Sequence, residues 1–277
     1  MTRMDGLGIG RLLRFIALVL LSVGTLFPLY FLVVTALKTN TEFATNYFLP
    51  PLKPDFSNLI EGMGLMGRFV MNSVFISLMT TLIILLVVVP AVYAFTWLRF
   101  PGAPILYTVA IASLMVPPVL TFIPQYILTR QLNLLNTHWG VILPFVATGI
   151  GLSVYLLRTF FAALPYELIE AARIEGAGEM RILRTIVLPL TVPSLVTVSV
   201  VQIVTTWNAF LWPLVVVSSE SKRAVSVAVT FLSGSSQVPD TPALMAGYLA
   251  ASIPLILILS ALMRFFVRGM TEGALKG

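Results

Sequence analysis

ELIEAARIEGAGEMRILRTIVLPL, residues 167–190, carries seven charges in its first eighteen positions: Glu167, Glu170, Arg173, Glu175, Glu179, Arg181 and Arg184. That is a quarter of the 28 charged residues in a chain of 277. Both flanks are apolar. Upstream, 27 uncharged residues separate Arg130 from Arg158; downstream, 35 separate Arg184 from Glu220. One charge at mid-membrane costs roughly 2.5–3.5 kcal/mol on insertion scales, so seven would cost on the order of 20 kcal/mol. The charged stretch therefore stays in water. Its flanks are long enough to cross a bilayer. This contrast sets the fold class: an all-α integral membrane protein with a charged, water-facing loop between two spans.

The rest of the chain divides the same way. Hydrophobic residues make up 58% and charged residues only 10%, against about 25% charged in a soluble domain. Charged positions bracket six spans, at approximately 14–37, 69–95, 104–124, 141–160, 191–217 and 244–266, in one permease-sized domain over 1–277. With the N-terminus inside, eleven Lys/Arg fall on inner segments and six on outer ones. That asymmetry places both termini, and the loop 161–190, in the cytoplasm. The first span follows Arg3, Arg11 and Arg14 like a signal peptide, but its apolar run exceeds a signal h-region, so it reads as an uncleaved helix. The outer segments 49–54, LPPLKP, and 233–242, SGSSQVPDTP, have extended and loop composition.

Several chemistries are excluded. The chain has no cysteine and one histidine, His138, so cysteine nucleophiles, disulfides and multi-histidine metal sites are ruled out. The net charge of +6 fits basic cytoplasmic loops rather than nucleic acid. No G-x-x-x-x-G-K-[ST] phosphate loop occurs.

Within the charged loop, Pro165 suits a helix start, and Glu167 and Glu170 lie early, where the helix dipole favours negative charge. Leu164, Leu168, Ala171 and Ala172 share one side, and Glu170 and Arg173 are spaced to pair on the surface. Gly176 and Gly178 end this helix. A second, about 179–187, presents Met180, Leu183 and Val187, and Pro189 closes it. The small alanines let another backbone approach. Four glutamates and no bulky apolar face favour a protein partner over a lipid surface.

These residues carry a resemblance. Glu170-Ala171-Ala172, Gly176, Ile186, Leu188 and Pro189 fill the signature E-A-A, three residues, G, nine residues, I-x-L-P of ABC importer permeases. ARIEGA at 172–177 is similar to the ARIDGA of sugar-importer permeases, with Glu175 in place of Asp; WNAFLWPL at 207–214, MAGYLAASIP at 245–254 and FVRGMTEGALKG at 266–277 also resemble that family. Asn58-Leu59 departs from its frequent Asn-Tyr. The resemblance extends loosely over the whole chain, to the six-span subunit of the maltose-transporter type. It implies a type I ABC importer permease fold, with coupling helices between spans 4 and 5. It implies a transporter subunit, not an enzyme, in a prokaryotic inner membrane. The implied partners are a second permease, two ATPase subunits, an extracytoplasmic solute-binding protein and membrane lipid. This chain would bind no cofactor; ATP and magnesium would sit on the ATPase. Glu170, Ala171, Ala172, Arg173 and Gly176 would dock on the ATPase, and Pro189 would fix the angle to the fifth span. Gly176 also admits a plainer role as a helix stop.

No Asp, Glu, Lys or Arg lies centrally in any span. Ion-coupled carriers usually need such groups, so a secondary transporter is disfavoured. A channel or structural subunit would not need the loop signature. A neutral polar solute, such as a sugar, suits this path; a glycerol-phosphate-type solute is the alternative within the same architecture. Asn72, Ser73, Gln125, Gln202, Thr205, Thr206, Trp207 and Asn208 are candidate path residues, with bonding across helices the more common role for any one of them. Trp207 and Trp212 are sugar platforms, interfacial anchors or packing groups. Pro117-Pro118 and Pro124 mark a kink or an irregular end of the third span.

Overall fold

The computed structural model describes residues 5–233 and 241–274, and the side chains of 10–233 and 241–263. Most of the outer segment 233–242 and the side chains of the 266–277 tail lie outside these residues. Helices dominate: α1 Asp5–Ala36, α2 Asn40–Thr45, α3 Ser57–Trp97, α4 Ala103–Ala112, α5 Pro118–Gln131, α6 His138–Phe161, α7 Tyr166–Ile174, α8 Glu179–Ile182, α9 Leu188–Leu190, α10 Val192–Asn208, α11 Leu211–Val216, α12 Val225–Ser233 and α13 Thr241–Ala274.

Among the described residues, four helices are long and apolar enough to cross a membrane: Gly10–Ala36, Ser57–Trp97, His138–Phe161 and Thr241–Met263. Two bent helix pairs, each counted as one span, bring the number to as many as six, the number expected. The expected third span, 104–124, is not one rod. It breaks between Met115 and Pro118, turns through 106°, and runs on to Gln131. The cause is Pro117-Pro118, which removes two N–H donors and pushes the preceding residue out of the helical region. Val116 is accordingly extended, at φ −80° and ψ 115°. The expected fifth span, 191–217, is helical over Val192–Asn208 and again over Leu211–Val216, and it meets the charged-segment helix Glu179–Leu190 at a bend of 77°. Pro189 does not close the helix before this bend, as its position suggested. It sits inside the last turn, and the break falls at Thr191, at φ −103° and ψ 10°.

The chain forms two compact units, with boundaries inside α3, α12 and α13. In the unit of residues up to Gly67 with Val229–Ser252, α3 and α13 meet backbone to backbone: a Cβ on Gly62 would lie 2.5 Å from Gly247 N. Asn58, buried, ties the end of α1 to the start of α3 by donating its amide to Ala36 O (3.2 Å) and Lys38 O (2.7 Å). Along α1 the side chains from Arg11 to Tyr30 are exposed, and burial begins only at its end, with Val34, Thr35 and Ala36. Its outward Leu, Val and Phe side chains suit a lipid solvent, in which a helix satisfies its own backbone.

The unit from Arg68 to Ala228, with the chain beyond Ile253, holds the main core. Ile84, Val88, Val92, Val141, Ile142, Leu157, Phe161 and Val198 are completely buried there. Residues 161–190 join this core, through Ile169, Ala172, Ile182, Leu183 and Val187.

Candidate functional site

The charged segment is built as two short helices on a shared anchor. Pro165 precedes α7 in extended geometry and Glu167 occupies its first turn. At the other end, Gly176 takes φ +81°. Gly176 N donates to Arg173 O (3.0 Å) and Ala177 N to Ala172 O (3.0 Å). This pair of bonds is a Schellman stop, whose left-handed residue is normally glycine. Gly176 therefore does end the helix. A Cβ added to it would meet nothing within 4 Å, so the glycine answers to backbone conformation and not to crowding within the chain.

After Gly178, α8 begins and passes into a π-turn at Leu183–Val187, closed by Leu188 N donating to Leu183 O. A proline at 189 cannot donate to the i−4 carbonyl, and a π-turn is one way a helix absorbs such a fault.

Arg173 joins the two helices. Its Nε donates to Glu179 Oε1 at 2.9 Å and its Nη2 to Glu179 Oε2 at 3.2 Å, a bidentate ion pair. Nη2 also donates to Trp97 O at 3.3 Å, in the last turn of α3, where a cation complements the helix dipole. Tyr93 donates its hydroxyl to Glu179 Oε2. The Arg173 guanidinium holds the Glu179 carboxyl below its usual range, with the Tyr93 bond adding to the effect. The expected surface pair of Glu170 with Arg173 is thus replaced by Arg173 with Glu179. Beneath the pair, Trp97 stacks on Phe161 (centroids 5.5 Å, 22° between planes) and Tyr93 meets Trp97 edge-on at 5.2 Å. The segment is clamped to the ends of α3 and α6.

The alanine pair is divided. Ala172 is buried in its own chain beside Ile169, while Ala171 and Glu170 face outward. Around Ala171 the outer surface carries apolar groups with nothing over them: Ile174 is 82% exposed, Met180 55% and Leu168 44%. Glu167, Glu170, Glu175, Arg181 and Arg184 surround them, all exposed. Glu179, Tyr93 and Trp97 were not singled out as functional in the sequence. A signal was present: Arg173 and Glu179 flank the glycine turn symmetrically, so the turn brings them together.

The candidate path residues fall into two groups. Asn72 donates to Ser221 O and Arg223 O, both at 2.9 Å, and Ser73 Oγ accepts from Val225 N at 2.8 Å. Both hold the stretch before α12. Gln202, 4% exposed, donates to Ser153 Oγ at 3.0 Å and Gly149 O at 3.4 Å, tying α10 to α6. Thr206 bonds back to Gln202 O at 2.7 Å, and Trp207 is buried at 5%. Trp212 donates to Gly140 O at 3.2 Å. Gln202, Thr206 and Trp212 thus have hydrogen-bond partners within or between helices of the chain. Thr205 and Asn208 are exposed. Gln125 lines a cleft of about 330 Å³ between α5 and α6, with Thr121, Thr129 and Thr148 among apolar neighbours.

This architecture has known counterparts. The chain superposes on a bacterial ABC transporter involved in import of the acidic polysaccharide alginate, with TM-score 0.84 and 20% identity, over 96% of this chain and 99% of that one. It shares that permease fold. It is 32% identical to the trehalose transport system permease protein of Mycobacterium tuberculosis, over 77% of this chain and 78% of the relative. It is 31% identical to the arabinooligosaccharides transport system permease protein of Halalkalibacterium halodurans, over 91% of each. Residues 91–272 match the family described as binding-protein-dependent transport system inner membrane component. The chain belongs to that family, and is a multi-pass permease subunit of an ABC importer.

Proposed function

We propose that this permease carries a carbohydrate, and that α7 and α8 are the element through which a separate ATPase drives it. The observation that carries the reading is the clamped helix pair with an uncovered outer face. Arg173, Glu179 and the Trp97–Phe161 stack fix the pair rigidly to the ends of α3 and α6. Ala171, Ile174 and Met180, ringed by charge, remain free to enter a socket. A push on that face reaches the spans without being absorbed by the loop.

Glu170, Ala171 and Gly176 contact the ATPase directly in this reading, and Gly176 also shapes the turn. Ala172 and Arg173 act from below, by anchoring the helix. Pro189 sets the approach to α10. ATP and magnesium belong to the ATPase subunits. The complex also requires a second permease and an extracytoplasmic solute-binding protein. The excess of Lys/Arg on one set of loops supports cytoplasmic termini, a cytoplasmic 161–190 segment and a prokaryotic inner membrane. The carbohydrate assignment rests on the trehalose and arabinooligosaccharide relatives. Neutral Gln125 and Asn208 suit hydroxyl-bearing solutes, as donors and acceptors.

The test is to purify the tagged chain from its native membrane with its partners, and to measure ATP hydrolysis with and without sugars and the binding protein. The expected result is sugar-stimulated hydrolysis, and a cross-link from Ala171→Cys to the ATPase. An intact complex with no such cross-link overturns the docking assignment. Stimulation only by a non-carbohydrate solute overturns the substrate class.

A further inference from the structure

The segment Asn46–Leu52, between α2 and α3, carries large apolar side chains that the chain leaves uncovered. Phe48 is 61% exposed, Leu49 67% and Leu52 88%. In an aqueous loop this pattern is unfavourable, because large apolar surface is left in contact with water. The backbone of the same segment is treated in the opposite way. Lys38, whose side chain is fully buried, donates from Nζ to Asn46 O (2.6 Å) and Tyr47 O (3.1 Å). Tyr30 donates its hydroxyl to Phe48 O at 2.9 Å. Three successive carbonyls are therefore capped by the chain's own side chains. Among the donors, Asn46 N bonds Glu42 O (2.8 Å), Leu49 N bonds Asn46 Oδ1 (3.1 Å), Leu52 N bonds Glu42 Oε1 (2.6 Å), and Pro50 and Pro51 have no N–H to satisfy. The N–H groups of Tyr47 and Phe48 and the carbonyls from Leu49 to Leu52 have no partner among the described residues, which sets the backbone at the headgroup level, where water reaches it, with its apolar side chains directed into the leaflet.

The segment also turns back along α1. The Phe48 ring lies 6.0 Å from Phe31 and 6.2 Å from Phe27, centroid to centroid. Those residues are five and nine positions before the end of α1, or about 7 and 13 Å along the axis. Between Arg14 and that end, the uncharged stretch of α1 is about 33 Å long, close to one hydrocarbon thickness of about 30 Å. Phe48 is thus level with a part of α1 that lies below the membrane boundary. Lys53, exposed, follows Leu52 directly, at the place where an ammonium reaches lipid phosphate.

We infer that Asn46–Leu52 is a membrane-inserted loop, whose Phe48, Leu49 and Leu52 enter the leaflet that meets the C-terminal end of α1, with Lys38 and Tyr30 capping its backbone. The bilayer is the favoured occupant because the exposed face continues the lipid-facing surface of α1. Insertion does not depend on the orientation proposed above; only the identity of the leaflet, outer rather than inner, does. The aromatic rings and the leucines anchor this end of the first span at the interface, as tryptophan and tyrosine belts do elsewhere.

The natural chain has no cysteine, so single nitroxide labels are placed without background. Leu52→Cys and Leu49→Cys are labelled in the full transporter complex in lipid nanodiscs, beside Ser221→Cys, exposed between Glu220 and Lys222, as the aqueous reference. Accessibility to oxygen, which concentrates in lipid, is compared with that to a water-soluble nickel chelate. Insertion predicts that labels at 49 and 52 favour oxygen at least several-fold more than the label at 221. Adding Lys38→Gln is expected to shift both labels toward the chelate. Chelate access equal to that at 221 overturns the inference, since the loop is then in water. Protection from both reagents also overturns it, since a protein subunit then covers the face. Neither result bears on ATPase docking or substrate class.

Discussion

Arg173 and Glu179 face each other across the Gly176 turn as a bidentate pair, Nε to Oε1 at 2.9 Å and Nη2 to Oε2 at 3.2 Å. The pair ties two helices of the charged segment to Trp97 O and to the Tyr93 hydroxyl, and so to α3. The two side chains are 28% and 44% exposed. Solvent screening limits the value of such a pair to about 1 kcal/mol, so its importance lies in orientation more than in stability. Arg173→Lys keeps the charge and loses the fork. We expect this variant to insert and assemble, with thermal stability of the complex changed by a few degrees at most. Sugar-stimulated ATP hydrolysis should fall several-fold, and Arg173→Ala should fall further. Stimulated hydrolysis equal to wild type in both variants would show that the clamp does not transmit force.

The same pair fixes a pH dependence. The folded-state pKa of Glu179 is depressed, first by the Arg173 bond and then by Tyr93. A depressed carboxyl stabilises the fold above its unfolded pKa, and the contribution is lost as pH falls through the folded value. The clamp should therefore be intact from pH 8 down to about 5 and loosen only below the ordinary carboxyl range. A spin label at Ile174→Cys reports this as mobility that is flat over the upper range and rises in acid. Glu179→Gln should be mobile throughout, with no acid transition. A wild-type transition near neutrality would assign the titration to a different group.

Gly176 separates backbone from docking requirements. Its φ of +81° disfavours alanine by roughly 1–2 kcal/mol, while asparagine tolerates the left-handed region far better. The space around it is open within the chain. If the turn alone matters, Gly176→Asn transports better than Gly176→Ala. If an ATPase surface closes over the turn, the larger asparagine is worse than alanine, and Gly176→Asp abolishes uptake from a normally inserted protein. The surface reading proposed above predicts the second order. Uptake by the three variants, normalised to membrane abundance, decides between them.

Apolar run lengths and charge positions located some helix ends within a few residues, 141–160 against His138–Phe161 and 14–37 against an α1 ending at Ala36, but the expected 69–95 missed the first twelve residues of α3, Ser57–Trp97, because Glu61 and Arg68 lie within that helix. They did not locate the bends. An apolar stretch has the same composition whether it is straight or turned through 106°, and Pro117-Pro118 admitted either a kink or a frayed end. The charged loop was legible as two helices around a glycine turn, because capping residues act locally. Its ion pair was not. Glu179 lies six positions after Arg173, outside the three- and four-residue spacings that mark pairs on one helix. The burial of Ala172 beside an exposed Ala171 was also hidden, since adjacent alanines differ only in which way the helix is turned against α3 and α6. For Gln202 and Asn72, polarity within an apolar run signalled a buried hydrogen bond. It did not distinguish a helix partner from a solute.

The α6–α10 contact supplies a test of that distinction. A Cβ on Gly149 would lie 2.6 Å from Ile84 Cδ1 and 2.8 Å from Gln202 Oε1. Gly149→Ala therefore overpacks the contact, and such changes cost about 1–3 kcal/mol. The nearest obstacle is a single methyl, and Ile84→Val removes it at a cost of about 0.5–1.5 kcal/mol by itself. The double variant should be more stable than the sum of the two singles by at least about 0.5 kcal/mol, because each change relieves the other. Gln202→Leu should cost only about 1 kcal/mol. Ser153 Oγ already donates to Gly149 O at 2.8 Å, so losing the amide strands no buried donor. If Gln202 works as a helix tie, all of these variants shift the melting temperature of the complex and leave the KM for uptake unchanged. Asn208→Ala, at an exposed position, should do the reverse, raising KM with little change in melting. A raised KM for Gln202→Leu at unaltered stability would return Gln202 to the solute path.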